Sequence, residues 1–145
     1  MKLIEGATLI DGTGGPTIAD AAVLVNEQGR IEAVGSKESL AWPPGTEVIS
    51  AAGMTLLPGL IDCHDHLSSF TYDLMSRWRL TEPESLRNLR IAKVAKETLL
   101  TGYTTIRDCG WLDAGFKMAI EEGLYPGPRL LVATMPMSPT HGHSD

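Results

Sequence analysis

The run Leu57-Pro58-Gly59-Leu60-Ile61-Asp62-Cys63-His64-Asp65-His66-Leu67 constrains this chain more than any other. From Thr55 to Asp62 the residues are almost continuously apolar, the pattern of a parallel strand buried on both faces. The strand ends in two histidines, and because strand side chains alternate, His64 and His66 point the same way with Cα atoms about 7 Å apart. Two neutral imidazoles converging from one strand end supply half of a transition-metal site. A surface His-rich turn and a single core histidine are the competing readings of H-x-H. The apolar strand behind the pair favours the metal.

The rest of the chain falls into two rhythms. Up to about Met54 it is short-strand material: Leu3-Ile4, Thr8-Leu9-Ile10, Ala22-Val23-Leu24-Val25, Ile31-Glu32-Ala33-Val34 and Glu47-Val48-Ile49. A hairpin is predicted at Asn26-Glu27-Gln28-Gly29-Arg30, with Gly29 supplying the positive φ, and the whole reads as a small, mostly antiparallel sheet. The cluster Gly12-Thr13-Gly14-Gly15 lacks the following helix and lysine of a phosphate-binding loop, so it is turn chemistry.

From Thr55 onward strands alternate with helices, which implies a parallel sheet. Strands are expected near 56–62, 103–108 and 129–134, and helices over about 82–101 and 112–122. Thr81-Glu82-Pro83-Glu84 reads as a capping box, with Leu86, Leu89, Ala92, Ala95 and Leu99 as the apolar face behind it. Gly102 and Gly123 mark the two helix ends.

Composition excludes several partners. Twelve basic against 18 acidic residues, net −6, speak against nucleic acid or an anionic membrane. The N-terminus is too soon charged for a signal peptide, and no apolar run approaches membrane-spanning length, so a cytoplasmic protein is expected. Cys63 and Cys109 are read as buried, inert thiols without a disulfide.

Several segments together resemble the metal-dependent amidohydrolases, specifically the imidazolonepropionase-like and prolidase-like branch. They are Ile10-Asp11-Gly12-Thr13-Gly14, the stretch from Pro58 to His66, Gly102-Tyr103-Thr104-Thr105-Ile106-Arg107-Asp108, Gly127-Pro128-Arg129, and Thr140-His141-Gly142-His143-Ser144-Asp145. The resemblance implies an α/β fold: residues 1–54 as a small composite β-sandwich subdomain, and 55–145 as the N-terminal portion of a (β/α)₈ TIM barrel. Only about three of its eight strands are present here, since a full barrel takes about 250 residues.

It also implies a hydrolase that cleaves an amide or peptide-like C–N bond by metal-activated hydroxide. Dipeptides or N-acyl amino acids are the expected substrates, and cyclic amides the next. His64 and His66 would be metal ligands, with zinc the expected ion, in a site that is binuclear in the complete enzyme. The remaining ligands of the family, a carboxylated lysine, two histidines and an aspartate that serves as general base, belong to later strands. No catalytic residue is therefore assigned within this chain, and residues 1–145 alone are expected to be inactive.

Three further residues are candidates. His143 matches the family histidine of the closing motif and is assigned to substrate binding, whereas His141 stands where the family has glycine and inherits no role. A four-histidine site with His64 and His66 is disfavoured because Pro136 and Pro139 mark a loop. Arg107 is the candidate for a substrate carboxylate, with an internal ion pair to Asp108 the competing fate. Asp62, which shares parity with the histidines, either braces an imidazole or ties down the barrel floor. Tyr72, Arg77, Trp78 and Arg79 lie in a long loop expected at the barrel mouth.

The alternative to an enzyme is a non-catalytic metal-binding or interaction fragment that pairs its open strand edges with a partner chain or a copy of itself. In either case barrel-facing residues such as Leu60, Ile106 and Val132 need the remainder of the barrel, from the same precursor or a second chain. A homo-oligomer is expected.

Overall fold

A computed structural model describes residues 1–69 and 82–142, which divide between two compact units, Met1–Pro58 and Gly59–Asp145. The first is built around β1 (Lys2–Leu9). On one side β2 (Ile18–Val25) and β3 (Ile31–Ser36) follow antiparallel. The predicted hairpin joins them: Asn26 Oδ1 accepts the backbone N–H groups of Gln28 and Arg30, and Gly29 has φ 72°.

On its other edge β1 pairs in parallel with two strands laid end to end. These are β4 (Glu47–Ser50), along Lys2–Glu5, and β5 (Thr55–Leu56), along Thr8–Leu9. The sheet is thus mixed rather than mostly antiparallel, and Leu3-Ile4 and Thr8-Leu9 belong to one strand. Gly6 permits this: at φ 84° it bends β1 where β4 gives way to β5, and a Cβ there would stand 3.3 Å from Ala52 Cα. Apolar residues pack on both faces, Leu3, Ala22 and Leu24 on one and Leu9, Ala21 and Val23 on the other.

The strand expected over 56–62 is two strands in two units. Ile10 donates its N–H to the Leu56 carbonyl at 2.9 Å, which keeps Thr55–Leu56 in the first unit. After Leu57-Pro58-Gly59 the chain enters β6 (Leu60–Asp65) of the second. Proline has no N–H for a ladder, so the break falls at Pro58 and the unit boundary follows it, four residues beyond the 54/55 division drawn from sequence.

The second unit continues with α1 (Glu84–Leu100), β7 (Tyr103–Asp108), α2 (Ala114–Glu121) and β8 (Arg129–Val132). Its three strands form an all-parallel sheet in the order β6-β7-β8, as strands joined through helices require. The core joins Leu67, Ile91, Ala95, Ile106, Leu112 and Leu130. Asp113 caps α2 by accepting the Gly115 N–H at 2.6 Å. Among the described residues no helix is long and apolar enough to cross a membrane.

Three expectations are corrected here. Helix α1 begins at Glu84 with Pro83 as N-cap and no side-chain cap, so Glu84 opens the helix instead of closing a capping box, and Thr81 lies outside the described residues. Its buried stripe is Ile91 and Ala95 with Val94 beside them, while Leu89 is 70% exposed. Ala95 is common to both stripes, but the rest of the buried face turns toward Ile91 and Val94 and leaves Leu86 and Leu89 exposed, as the contacts with β7 select. Ile106 likewise does not await further strands: it is fully buried in the core with Ile91 and Ala95, and Val132 packs against the same cluster. The opposite sheet face carries Ile61 in register with Thr105, and Arg107 in register with Leu131. There Ile61 is 64% and Leu131 52% exposed.

Close approach of β6 to β7 depends on Gly59. A Cβ at that position would lie 2.1 to 2.7 Å from three side-chain atoms of Thr104. Gly59→Ala should cost about 1–3 kcal/mol by overpacking, read as a lower urea midpoint at unchanged m-value. Thr104→Ala in the same chain should return part of that loss; strictly additive losses would refute the contact.

Candidate functional site

The C-terminal ends of β6, β7 and β8 are stitched together past the last ladder residues. Cys109 donates its N–H to the Asp65 carbonyl at 2.9 Å, Ala133 to that of Asp108 at 3.1 Å, and Trp111 to that of Thr134 at 2.7 Å. Among the described residues four non-glycine positions have positive φ, and three of them, Trp111, Thr134 and His141, lie in the loops after β7 and β8. Such conformations cost about 1–3 kcal/mol each and gather where surrounding contacts impose a loop geometry.

His64 lies in β6 and His66 directly after it, with ring centroids 5.3 Å apart and planes at 75°. Each backbone is pinned by an aspartate: His64 N–H donates to Asp62 Oδ1 at 2.9 Å and His66 N–H to Asp65 Oδ1 at 2.8 Å. Asp62 therefore braces the main chain of a histidine. Its parity with His64 and His66 does not survive intact, because the β6–β7 register slips between Asp62 and Asp65: three residues of β6 span two of β7.

His66 is the better anchored of the two. Its Nδ1 faces the Gly110 carbonyl at 3.4 Å, and its ring lies 5.4 Å from that of Trp111 at 40°. A carbonyl accepts only, so the contact selects the Nδ1–H tautomer and leaves Nε2 with its lone pair. His64 is exposed.

Arg107 and Asp108 do not form an ion pair, because strand alternation sends them to opposite faces. Arg107 is exposed and donates from Nε to the Cys63 carbonyl at 2.7 Å. Asp108 is fully buried. Its Oδ2 accepts the Leu67 N–H and its Oδ1 the Gly110 N–H, both at 2.9 Å. Burial pushes the Asp108 carboxyl above the usual carboxylate range, and the Gly110 and Leu67 N–H groups and nearby His66 pull the other way. In the sequence Asp108 figures only as a partner for Arg107, and Gly110 and Trp111 carry no signal, although alternation alone argues against pairing neighbouring strand residues.

The thiols also differ from expectation. Cys63 is exposed and Cys109 half-buried; Cys63 lies two residues beyond Ile61 in β6 and so shares its exposed face. His141 sits in a turn closed by Gly142 N–H on the Pro139 carbonyl at 2.7 Å. His143, Tyr72, Arg77, Trp78 and Arg79 lie outside the described residues.

Two imidazoles on one strand end, one with its tautomer set for metal binding, fit a divalent transition ion. Among the described residues no group of three or more His, Cys, Asp or Glu side chains surrounds them, so the pair supplies part of a coordination sphere.

The amidohydrolase family model matches residues 55–144. Over 64 residues the chain is 47% identical to the imidazolonepropionase of Idiomarina loihiensis, a stretch covering 44% of this chain and 15% of that protein. A crystal structure of an amidohydrolase superposes with a TM-score of 0.84 at 34% identity, over 99% of this chain and 33% of the other. A prolidase complexed with N-methylphosphonate-L-proline superposes at 0.81 and 27% identity, over 98% and 34%. The chain thus spans about a third or less of the length of these proteins.

Proposed function

The chain belongs to the amidohydrolase family, and from that premise we propose that it is the N-terminal part of a metal-dependent hydrolase of amide or peptide-like C–N bonds. In this reading the parallel sheet is the first three strands of a (β/α)₈ barrel, and the mixed sheet of the first unit is one layer of a β-sandwich. The observation that carries it is the histidine pair, rings 5.3 Å apart at the C-terminal end of a parallel sheet, with Nδ1 of His66 facing a carbonyl. Active sites of barrels lie at that end.

His64 and His66 would hold the ion, zinc being the expected one, and the remaining ligands would come from outside the described residues. When bound, a divalent metal lowers the pKa of a water and polarises a carbonyl. The residues of this chain do the positioning. Asp62 and Asp65 fix the backbone of the two histidines, and the Gly110 carbonyl orients one ring. Arg107, exposed on the sheet face away from the helices, would bind a substrate carboxylate, as a dipeptide or N-acyl amino acid presents. The bound proline phosphonate of the prolidase relative supports that substrate class, and the imidazolonepropionase relative supports cyclic amides as the alternative.

The exposed apolar residues of the same face, Ile61 and Leu131, favour further strands closing over it. Those strands would come from the same precursor or a second chain, and assembly into a homo-oligomer is part of the same reading. Residues 1–145 by themselves would be inactive, since two histidines do not complete a catalytic site.

Three measurements on the complete protein test this. Replacing His64 and His66 together by alanine should lower the bound metal, and undiminished content by elemental analysis would sink the assignment. Arg107→Met should reduce kcat/KM toward a carboxylate-bearing dipeptide by about 10–100-fold, the weight of a hydrogen bond to a charged group. The same change should leave turnover of the amidated substrate near the wild-type level; an equal loss on both would remove Arg107 from carboxylate recognition. His143→Ala should impair kcat/KM with metal content intact, whereas parallel loss of metal would make His143 a ligand.

A further inference from the structure

We propose that Asp108 is a positioning residue for His66, holding the loop whose carbonyl sets the tautomer of that ring. The inference rests on the reading of His66 as a metal ligand and adds a residue that touches neither metal nor substrate. Asp108 is fully buried, and among the described residues no cation pairs with it. Burying a carboxylate unpaired is costly unless hydrogen bonds satisfy its oxygens. Both bonds go to main-chain groups bracketing His66: Leu67, its covalent neighbour, and Gly110, whose carbonyl faces its Nδ1.

The arrangement is a relay of two peptide planes. Asp108 Oδ1 fixes the Cys109–Gly110 plane through the Gly110 N–H. The next plane, Gly110–Trp111, donates its N–H to the Thr134 carbonyl and presents its carbonyl to His66. Gly110 makes the turn between the planes at φ 148°, against Pro136, whose Cδ would lie 2.8 Å from a Cβ there. The loop therefore has little room to adopt another course.

The demand is for a residue that only accepts. A carboxylate meets two N–H donors at once, while a carboxamide offers one acceptor and sets an NH₂ against the other donor. Asp108→Asn is nearly the same size and shape, so it removes the acceptor without opening a cavity. Released from one N–H, the loop no longer holds the Gly110 carbonyl on Nδ1, and the ring is free to take its other tautomer or rotate.

The test compares the complete wild-type protein with Asp108→Asn and with Ile106→Val, a buried neighbour on the same strand face that makes no bond to the loop. Zinc affinity by chelator competition, the visible spectrum of the cobalt-substituted protein and the ¹⁵N shifts of the His66 ring in the metal-free protein are measured, with thermal melts alongside. Asp108→Asn is expected to bind zinc about 10–100-fold more weakly, the effect typical of partners that orient a ligand. Its cobalt spectrum should shift and its His66 should lose the single Nδ1–H form, while Ile106→Val keeps all three properties. Unchanged affinity and spectrum in Asp108→Asn, or an equal loss in Ile106→Val, would overturn the inference. If Asp108→Asn does not fold, the wild-type ring decides: an Nδ1–H tautomer upholds the relay and an Nε2–H tautomer overturns it. A wild-type protein that binds no divalent metal would instead overturn the functional reading, leaving the tautomer to judge the relay.

Discussion

The alternation of β7 organises the whole second unit. Ile106 and Asp108 face the helices and are fully buried, while Thr105 and Arg107 face the other way. As the central strand, β7 sets the helix-covered side for both neighbours, so Leu130 packs into the core beside Ile106. Burying one such aliphatic side chain contributes about 1.5–3 kcal/mol. A one-residue slip would expose Ile106 and Asp108 and bury Arg107 in their place. That penalty locks the register, and the register in turn decides which residues reach the site.

The site is assembled from the ends of three strands rather than from one motif. His64 comes from β6 and His66 from the position just after it, the carbonyl that orients His66 from the loop after β7, and the bond that holds that loop from Thr134 after β8. Rigid strands and stitched loop starts hold such side chains in place while leaving loop tips free to vary. The positive φ values of Trp111 and Thr134 belong to this stitching, since the bond between them links the two strained residues.

The first unit carries a different constraint. One strand, β1, is shared by β2 on one side and by β4 and β5 in succession on the other. The bend at Gly6 lets a single edge serve two short strands, and so Thr55–Leu56, apolar enough to pass for part of β6, stays with the first sheet. Pro58 then ends the pairing before the chain crosses to the second unit.

Residue chemistry and local periodicity were sufficient for the alternation of strands and helices in the second unit, its parallel sheet, the hairpin at Asn26–Arg30 and the histidine pair, because each depends on neighbours within a few positions. The family was legible for the same reason: its motifs are short runs such as Pro58–His66 and Gly102–Asp108. Phase and register were not legible. Leu89 and Ile91 both fit an apolar helical stripe, and only contact with β7 buries Ile91 and leaves Leu89 in solvent. Asp62 shares parity with His64 on paper, but a slipped register breaks it, and Arg107 with Asp108 looks like an ion pair until the strand separates them. These outcomes are set by which distant segment supplies a hydrogen bond or fills a space. Local pattern fixes what a residue can do, and only tertiary packing fixes which partner it meets.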